Sequence, residues 1–524
     1  MHFQNISMLV SILVYSYFLF LPNISISSPI SARDGYKEKV FNLTISKGNY
    51  APDGFSRDMY LINGQFPGPQ IECNKGDTMI INIINELDEK NTSIHSHGIH
   101  QYGTPWYDGV LGITQCGIPS KGTFTYKFNV NQSGTYWYHS HARSQYMDGI
   151  IGPLIVHDPN DHYTKDYDEE ITVILQDWYH TDSKILFANF LTPEGNGIDP
   201  SPDNGLINGK NSFNCSSAPV GSKCVNNAPL SQFNFFHGKK YRIRIINTSA
   251  FSTFIFSIDE HPMDVIEVEG TITQRHTVHR LPINVAQRYS VIVTANQPIK
   301  SYWMRSEMEP ACFPVVSPNL NPLIKAIVTY NGNTDQRPSS TAWTDNVANC
   351  VNLDPSNLKP YTSQKVPNAD MNFTLDIHFH PDPIINVTLA YINHSSMVMD
   401  ENNPTLMEVY SGHGHNFWVL GSGGNGTKPD YKKLNTNDPI KRDTATVPDG
   451  GWTIFRFVPN NPGVWEFHCH IEWHLHAGLA AQFVTQPDQI LELSPPANWE
   501  ALCQNNETVI FCGAKSQIMM ESKN

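Results

Sequence analysis

Residues His468–Leu479 read HCHIEWHLHAGL, and nine consecutive positions of this stretch hold four histidines and a cysteine. The preceding segment, 464–467, reads VWEF, and its β-branched and aromatic residues predict a strand that runs into the motif. Side chains of a strand alternate between its two faces, so we expect Cys469 on one face and His468 and His470 on the other. One segment can therefore offer a thiolate to one metal and two imidazoles to another.

His474 and Leu479 follow Cys469 closely, and a turn between them can bring both back to the sulfur. Cysteine sulfur with imidazole and a weak or absent axial ligand is what a blue-copper electron-transfer site needs. The alternative is a buried free cysteine among surface histidines.

The chain has 524 residues, 40% of them hydrophobic and 11% aromatic, which is enough for two to four domains with substantial cores. Its formal net charge is −14, and no run of lysine and arginine stands out. This balance disfavours nucleic acid or an anionic membrane as a partner.

The N-terminus predicts secretion. Residues 8–21 form an apolar run followed by Pro22 and a serine-rich stretch, as in a signal peptide, which we place at residues 1–28. An uncleaved anchor is the alternative, although the run is short for a membrane span. We expect no stable membrane association once the signal is cleaved.

The remaining cysteines and the glycosylation sequons agree with secretion. Apart from Cys469 the chain has an even number of cysteines, which predicts disulfides in an oxidising compartment, with a local pair possible between Cys215 and Cys224. The other cysteines are Cys73, Cys116, Cys312, Cys350, Cys503 and Cys512. N-x-S/T sequons, which predict glycosylated surface loops, begin at Asn42, Asn131, Asn372, Asn386, Asn393 and Asn506.

Short apolar runs separated by turn residues predict an all-β chain of β-sandwich or Greek-key domains. A polar break at residues 157–161 and a linker rich in Asn, Ser, Thr, Pro and Asp at residues 331–370 divide the chain. We therefore predict three blocks after the signal, at residues 29–158, 159–335 and 336–524.

The first and third blocks repeat each other. The segment 134–141 reads GTYWYHSH and matches 463–470, GVWEFHCH, position by position, and Gly149 and Gly478 each lie eight residues beyond the last histidine. Upstream of each segment is a second His-x-His pair, at 95–97 and at 413–415. Two related blocks that each offer two histidine-bearing strands predict a metal cluster at their interface.

The chemistry follows from this arrangement. Each His-x-His pair places two imidazoles on one face of a strand, within reach of one cluster. Cys469 would pass single electrons from a reductant to His468 and His470, to which it is bonded through the backbone, and the cluster would reduce dioxygen. These three residues are therefore the predicted catalytic residues.

The sequence resembles the multicopper oxidases, most closely the secreted laccase and ascorbate-oxidase-like group with three cupredoxin domains. The motifs that carry the resemblance are HSHGIHQYGTPWYDGVLGITQC from His95, GTYWYHSHARSQYMDG from Gly134, AQRYSVIV from Ala286 and NPGVWEFHCHIEWHLHAGL from Asn461. The resemblance implies a copper enzyme, with up to four copper ions, that acts as a monomer on a small-molecule reductant and O2. The three blocks would each be a cupredoxin-like Greek-key domain.

The resemblance also implies a ligand set. His95 would bind the type 2 copper, Cys469 and His474 would bind the type 1 copper, and Leu479 would occupy its non-ligating axial position. The paired type 3 coppers would be bound by His97, His139, His141, His413, His468 and His470.

The third family motif is degenerate. Where the family has HPxHxHGHxF, this chain has Glu408 in place of a type 1 histidine and Ser411 in place of a type 2 histidine. The third block is also expected to be shortened between His380 and Ile385. Glu408 could ligate through oxygen, although a hard donor suits a thiolate copper poorly, or electron transfer could be impaired. A third explanation is that a nearby histidine substitutes, and the candidates are His378, His380 and His394.

Acidic residues with a role in the reaction are weakly specified. Candidates beside the type 1 site are Glu267, Glu269, Asp376 and Glu408, and candidates for proton transfer to oxygen are Asp108 and Glu472. The predicted function is a secreted laccase-like oxidase of phenolic or similar donors. A ferroxidase is the enzymatic alternative, and a catalytically impaired copper-binding or structural protein is the alternative of another class.

Overall fold

The structure is a computed structural model, and it describes residues 36–88, 90–332, 337–348, 350–409 and 415–504, with only the backbone for residues 408 and 409. Within these residues strands dominate and helices are short, which confirms the all-β prediction. The described residues contain no helix that is both long and apolar enough to cross a membrane. The predicted signal peptide lies outside the described residues.

The first block forms two four-stranded sheets, with strand orders β2-β1-β4-β6 and β3-β8-β7-β5. Strand β6 alternates buried and exposed positions, as a strand with one wet face does, whereas β7 is buried throughout. The strands are β1 Glu38–Tyr50, β2 Arg57–Ile62, β3 Ile71–Asn74, β4 Thr78–Asn85, β5 His95–His97, β6 Thr123–Asn129, β7 Gly134–His139 and β8 Ile151–His157.

The second block is the largest, with a six-stranded sheet β10-β9-β12-β17-β14-β15 and a five-stranded sheet β11-β19-β18-β13-β16. Most of its strands, such as β13 and β17, are buried at nearly every position, which fits burial on both faces. Its strands are β9 Glu169–Trp178, β10 Asn204–Ile207, β11 Gln232–Phe235, β12 Lys240–Asn247, β13 Phe254–Ile258, β14 Met263–Val268, β15 Thr271–Val278, β16 Leu281–Ile283, β17 Arg288–Thr294, β18 Tyr302–Met308 and β19 Leu323–Tyr330.

The third block has smaller sheets: β20 pairs with β21, β22 lies between β23 and β24, and β25 pairs with β26. Strand β20 is exposed along its whole length. The strands are β20 Ile377–Pro381, β21 Thr388–Ile392, β22 Phe417–Gly423, β23 Lys441–Arg442, β24 Trp452–Arg456, β25 Gly463–His468 and β26 Ala480–Thr485.

The helices are α1 Ser183–Phe190, α2 Thr405–Val409, α3 Glu472–His476, α4 Pro487–Ile490 and α5 Ala497–Gln504. Single 3₁₀ turns occur at Pro105–Tyr107, Cys215–Ser217, Pro310–Cys312 and Pro355–Asn357. The last of these is the only regular helix or strand that the described part of residues 331–370 contains, and the role of this segment as a linker stays a prediction.

All three blocks contribute to the largest apolar cluster, and buried ion pairs join them. The largest apolar cluster combines residues of all three blocks, among them Trp137, Trp178 and Trp473. Arg442 of the third block binds Glu269 of the second, and both side chains are fully buried. This packing fixes the third block against the first two and so positions the histidine strands.

Three disulfides confirm that cysteines of this chain pair, as predicted: Cys116–Cys503, Cys215–Cys224 and Cys312–Cys350. The first spans 387 residues and ties the first block to α5. Cys73 is buried and forms no disulfide with any described residue, and Cys512 lies outside them. Six of the eight cysteines other than Cys469 are therefore paired among the described residues.

Candidate metal centre

Two neighbouring strands of the first block carry histidines toward the same place. Strands β5 and β7 are antiparallel, and their register sets His95 directly opposite His139. His97 shares a strand face with His95 because side chains two residues apart point the same way. The imidazole centroids of His95 and His139 lie 5.3 Å apart, and those of His95 and His141 lie 5.6 Å apart.

The third block contributes the other half of the cluster. Strand β25 ends at His468. The ring centroid of His468 lies 5.4 Å from that of His141. The ring of His470 lies 4.9 Å from that of His97 and 5.6 Å from that of His139. Three of the four predicted His-x-His pairs therefore meet, and they bring together His95, His97, His139, His141, His468 and His470.

The histidine cluster is buried and can supply nitrogen ligands to a metal ion. Nε2 of His139 and both ring nitrogens of His470 have no hydrogen-bond partner among the described residues. Burial holds the pKa of His139, His141 and His470 well below its usual value, so their rings are neutral. Neutral imidazole is a ligand that suits copper, and these donors fit a copper site.

Two groups of side chains have potential ligand atoms that all lie within 4.8 Å of one another. The first group is His95, His97 and His139, and the second is His141, Glu466 and His468. Glu466 did not emerge from the sequence as a site residue. The repeat carried a usable signal, because Glu466 occupies the position of Trp137 in the first block.

Two of the cluster histidines also contact aspartates, and these contacts orient their rings. Nδ1 of His95 donates to the backbone carbonyl of Asp108 at 2.7 Å, and an oxygen of its carboxylate lies 3.4 Å away. His97 has its Nε2 3.7 Å from Asp443, which is itself paired with Arg288. Such outer partners fix the orientation of a metal-binding imidazole.

The cysteine site forms at the end of β25. Sγ of Cys469 lies 3.5 Å from Nδ1 of His474, and the amide of Cys469 donates to the carbonyl of Leu479 at 3.0 Å. The short helix α3 ends at His476, and Gly478, two residues later, has a φ of +98°, which suits the residue that follows a helix cap. The predicted turn therefore brings His474 back to the thiol and the backbone of Leu479 back to that of Cys469.

Asp199 is a contact that the sequence did not predict. Its Oδ2 lies 3.1 Å from Nε2 of His474, on the side of the ring away from Cys469. Burial lowers the pKa of His474, but the hydrogen bond with Asp199 and the contact with Cys469 outweigh it and raise the pKa to about 10. No local motif marks Asp199, because it lies 275 residues from His474 in sequence.

Comparison with known proteins decides the family. Residues 44–161, 169–333 and 352–489 each match a family described as multicopper oxidase. A laccase of Cryptococcus neoformans is 34% identical over 94% of this chain and 87% of its own, and a laccase of Phlebia radiata is 36% identical over 86% and 91%. The chain belongs to the multicopper oxidase family.

Solved structures of multicopper oxidases share the fold. The laccase of Botrytis aclada has a TM-score of 0.82 at 31% identity and covers 90% of this chain and 92% of its own. Fet3p, described as a multicopper oxidase that functions in iron import, has a TM-score of 0.79 at 30% identity, covering 89% and 94%. The chain is therefore a laccase-like, copper-dependent oxidoreductase of cupredoxin-like domains that uses O2 as acceptor.

The degenerate third motif of this multicopper oxidase lies largely outside the described residues. This is true of Ser411, of His413 and of the side chain of Glu408, so their predicted effects on the copper sites stay predictions. His415, the first described residue after the gap, packs its ring 4.5 Å from that of Trp465 on β25.

The three histidines considered as substitutes for Glu408 have other ring partners than His474. On the exposed strand β20, Phe379 packs against His474 at 4.8 Å, so strand alternation turns His378 and His380 to the opposite face. His378 stacks on His394 at 5.8 Å, and His380 stacks on Tyr391 at 4.0 Å.

Two of the proposed acidic residues are structural. Glu267 is fully buried between Arg242 and Arg244, and Glu269 is fully buried against Arg442, so the expectation that either faces a substrate is wrong. The arginines neutralise and hydrogen-bond both carboxylates, as the burial of a charged group requires. Asp376 is exposed.

The two candidates for proton transfer to oxygen differ in position. Asp108 lies against His95 of the cluster, whereas Glu472 lies 3.4 Å from His476 on helix α3. Their role as acids or bases stays a prediction.

Proposed function

We propose that this multicopper oxidase is a secreted enzyme that oxidises phenolic or similar donors in one-electron steps and reduces O2 to water. The observation that carries the proposal is the position of Cys469. Its sulfur faces His474, while the residues bonded to it on either side, His468 and His470, enter the six-histidine cluster. Electrons received at the cysteine have a short covalent path to that cluster.

The proposed ligands follow the family pattern. Cys469 and His474 would hold the type 1 copper, and His95 the type 2 copper. The type 3 pair would be held by His97, His139, His141, His413, His468 and His470. Copper supplies reversible one-electron chemistry when bound.

The Cys469–His474 site and the six-histidine cluster differ in their surroundings, which suits them to different steps of the reaction. The side chain of His474 is 22% exposed, so a donor can approach the edge of its ring, and Asp199 holds that ring in place. Within the six-histidine cluster, His139 is only 2% exposed, whereas the side chains of His95 and His468 are 16% and 18% exposed. A bulky reductant has no room beside His139, so we expect such donors to react at His474.

The surface supports secretion and glycosylation. Three disulfides suit an oxidising compartment, and the sequon asparagines Asn42, Asn131, Asn372 and Asn386 are exposed. We propose that the enzyme acts as a monomer on a small-molecule reductant.

A ferroxidase is a second candidate, and Asp199 is the observation that favours it. A carboxylate bound to the ring of the type 1 histidine offers a hard oxygen ligand to Fe²⁺ at the entry point for electrons. Fet3p, which functions in iron import, has a similar structure. Comparing oxidation rates for Fe²⁺ and for a phenol with the same preparation decides between the two.

A copper count and an absorption spectrum test the proposal on the purified full chain. Four copper ions and the intense visible band of a thiolate-bound copper are expected, and Cys469→Ser should abolish the band while the histidine cluster keeps its copper. If the chain binds two copper ions or fewer and lacks the band, the oxidase proposal fails. The impaired copper-binding protein would then be favoured.

A further inference from the structure

Glu466 is a buried carboxylate with no hydrogen-bond partner among the described residues. It lies on β25, two residues before His468, and its side chain is 3% exposed. Neither Oε1 nor Oε2 receives a hydrogen bond within the described part of the chain. A buried polar group left in this state costs free energy, whether the carboxyl is ionised or neutral, so a ligand that satisfies it is expected.

The repeat shows that the fold does not require an acid here. In the first block the equivalent position is Trp137, whose ring stacks on His139 at 4.1 Å and packs into the shared core. The third block has replaced this apolar side chain with Glu466, facing the same histidine cluster. A substitution that exchanges core packing for an unsatisfied carboxylate favours a role in ligand binding over a role in packing.

One carboxylate oxygen of Glu466 lies near two imidazoles of the cluster. Oε2 lies 3.6 Å from Nε2 of His141 and 4.0 Å from Nε2 of His468. Both distances exceed a hydrogen bond. Ligand atoms bound to one ion at about 2.0–2.2 Å lie between about 3 and 4.3 Å apart, depending on the angle, so both distances suit ligands of a common ion.

We propose that Glu466 is a carboxylate ligand of the copper ion held by His141 and His468. The proposal rests on copper binding to the histidine cluster, which is part of the proposed function, but not on any particular reductant. It adds an oxygen donor to a cluster whose third motif lacks a histidine at position 411. An anionic oxygen ligand favours Cu²⁺ over Cu⁺, so this copper should be harder to reduce than one bound by imidazoles alone.

The test uses the full chain and the variants Glu466→Gln and Glu466→Leu, with Glu401→Gln as a surface control. Glu401 pairs with Arg143, whose side chain is 52% exposed. Copper per chain, the affinity in a Cu²⁺ titration, the electron paramagnetic resonance spectrum and the unfolding temperature with and without copper are measured.

If Glu466 is a ligand, both variants should lose about one copper ion per chain or bind it at least about tenfold more weakly, the loss expected even for outer partners of a ligand. Without copper they should unfold at the same temperature as the native chain or higher, because an unsatisfied buried group has been neutralised or removed. Glu401→Gln should match the native chain throughout.

Unchanged copper content, affinity and spectrum in Glu466→Gln and Glu466→Leu would overturn the proposal. So would an equal loss of stability with and without copper, which would make Glu466 structural. If the native chain itself binds no copper, the proposed function fails first. If it binds copper and the variants bind it identically, only the assignment of Glu466 fails.

Discussion

Asp199 and His474 belong to different blocks, and their side chains meet with 3.1 Å between Oδ2 and Nε2. The other nitrogen of the same ring lies 3.5 Å from Sγ of Cys469. A carboxylate on the far nitrogen of a metal-binding imidazole fixes its tautomer and its orientation.

Asp199→Ala should therefore slow oxidation of the reductant about 10- to 100-fold and shift the absorption band of the thiolate-bound copper. The measurement is steady-state oxidation together with the visible spectrum. Asp345→Ala is a matched control, because Asp345 forms the same kind of pair with His279 on the exposed surface, at 3.1 Å. Equal effects of the two variants would contradict the role given to Asp199.

Arg442→Ala should destabilise the chain by about 3–5 kcal/mol, because it leaves the fully buried Glu269 without its cation. Chemical unfolding of the copper-free protein measures the effect. Arg275→Ala breaks a pair whose side chains are more than a third exposed and should cost less than about 1 kcal/mol. A small effect of Arg442→Ala would show that this pair does not hold the second and third blocks together.

Acid should weaken the fold through Glu267. Burial raises the pKa of this carboxyl, but Arg242 and Arg244 outweigh it and lower the pKa to about 2. Because the folded pKa is below the unfolded value of about 4.3, the stabilisation is complete above that value and is lost as the pH falls toward 2.

The free energy of unfolding, measured between pH 6 and pH 2, should therefore fall steeply below about pH 4.3. Glu267→Gln should be less stable at pH 6 and show a shallower fall, because it removes the titrating group. The same slope in the variant would assign the acid sensitivity to other carboxylates.

The double variant Glu408→His with Ser411→His should raise the copper content and the oxidation rate if missing ligands limit the native chain. The reason is that imidazole suits copper better than a hard carboxylate or a hydroxyl does. Copper analysis and oxidation of a phenol are the measurements, with each single variant as a control. No gain in either quantity would place the limitation in the shortened segment between His380 and Ile385.

The sequence was most informative where the chemistry is local. The motif around Cys469 and its repeat around His139 predicted the strands β25 and β7 and the meeting of six histidines, because residues two apart on a strand share a face. The turn back to Leu479 followed from the same short stretch, with Gly478 two residues after the end of the helix.

Contacts between distant segments could not be predicted in this way. The acids Glu267 and Glu269 were candidates for a substrate site, and only the tertiary structure shows that arginines on β12 and β23 neutralise them in the interior. The disulfide Cys116–Cys503 and the contact of Asp199 with His474 likewise join segments that have no shared pattern.

The sequence by itself determined the family and the all-β fold and predicted the donor atoms, since these depend on residue type and on periodicity along one strand. The tertiary structure decided which carboxylates face the donors, because a carboxylate is placed by the packing of blocks against each other. Asp199 against His474, and Glu466 between His141 and His468, are therefore known only from the folded chain.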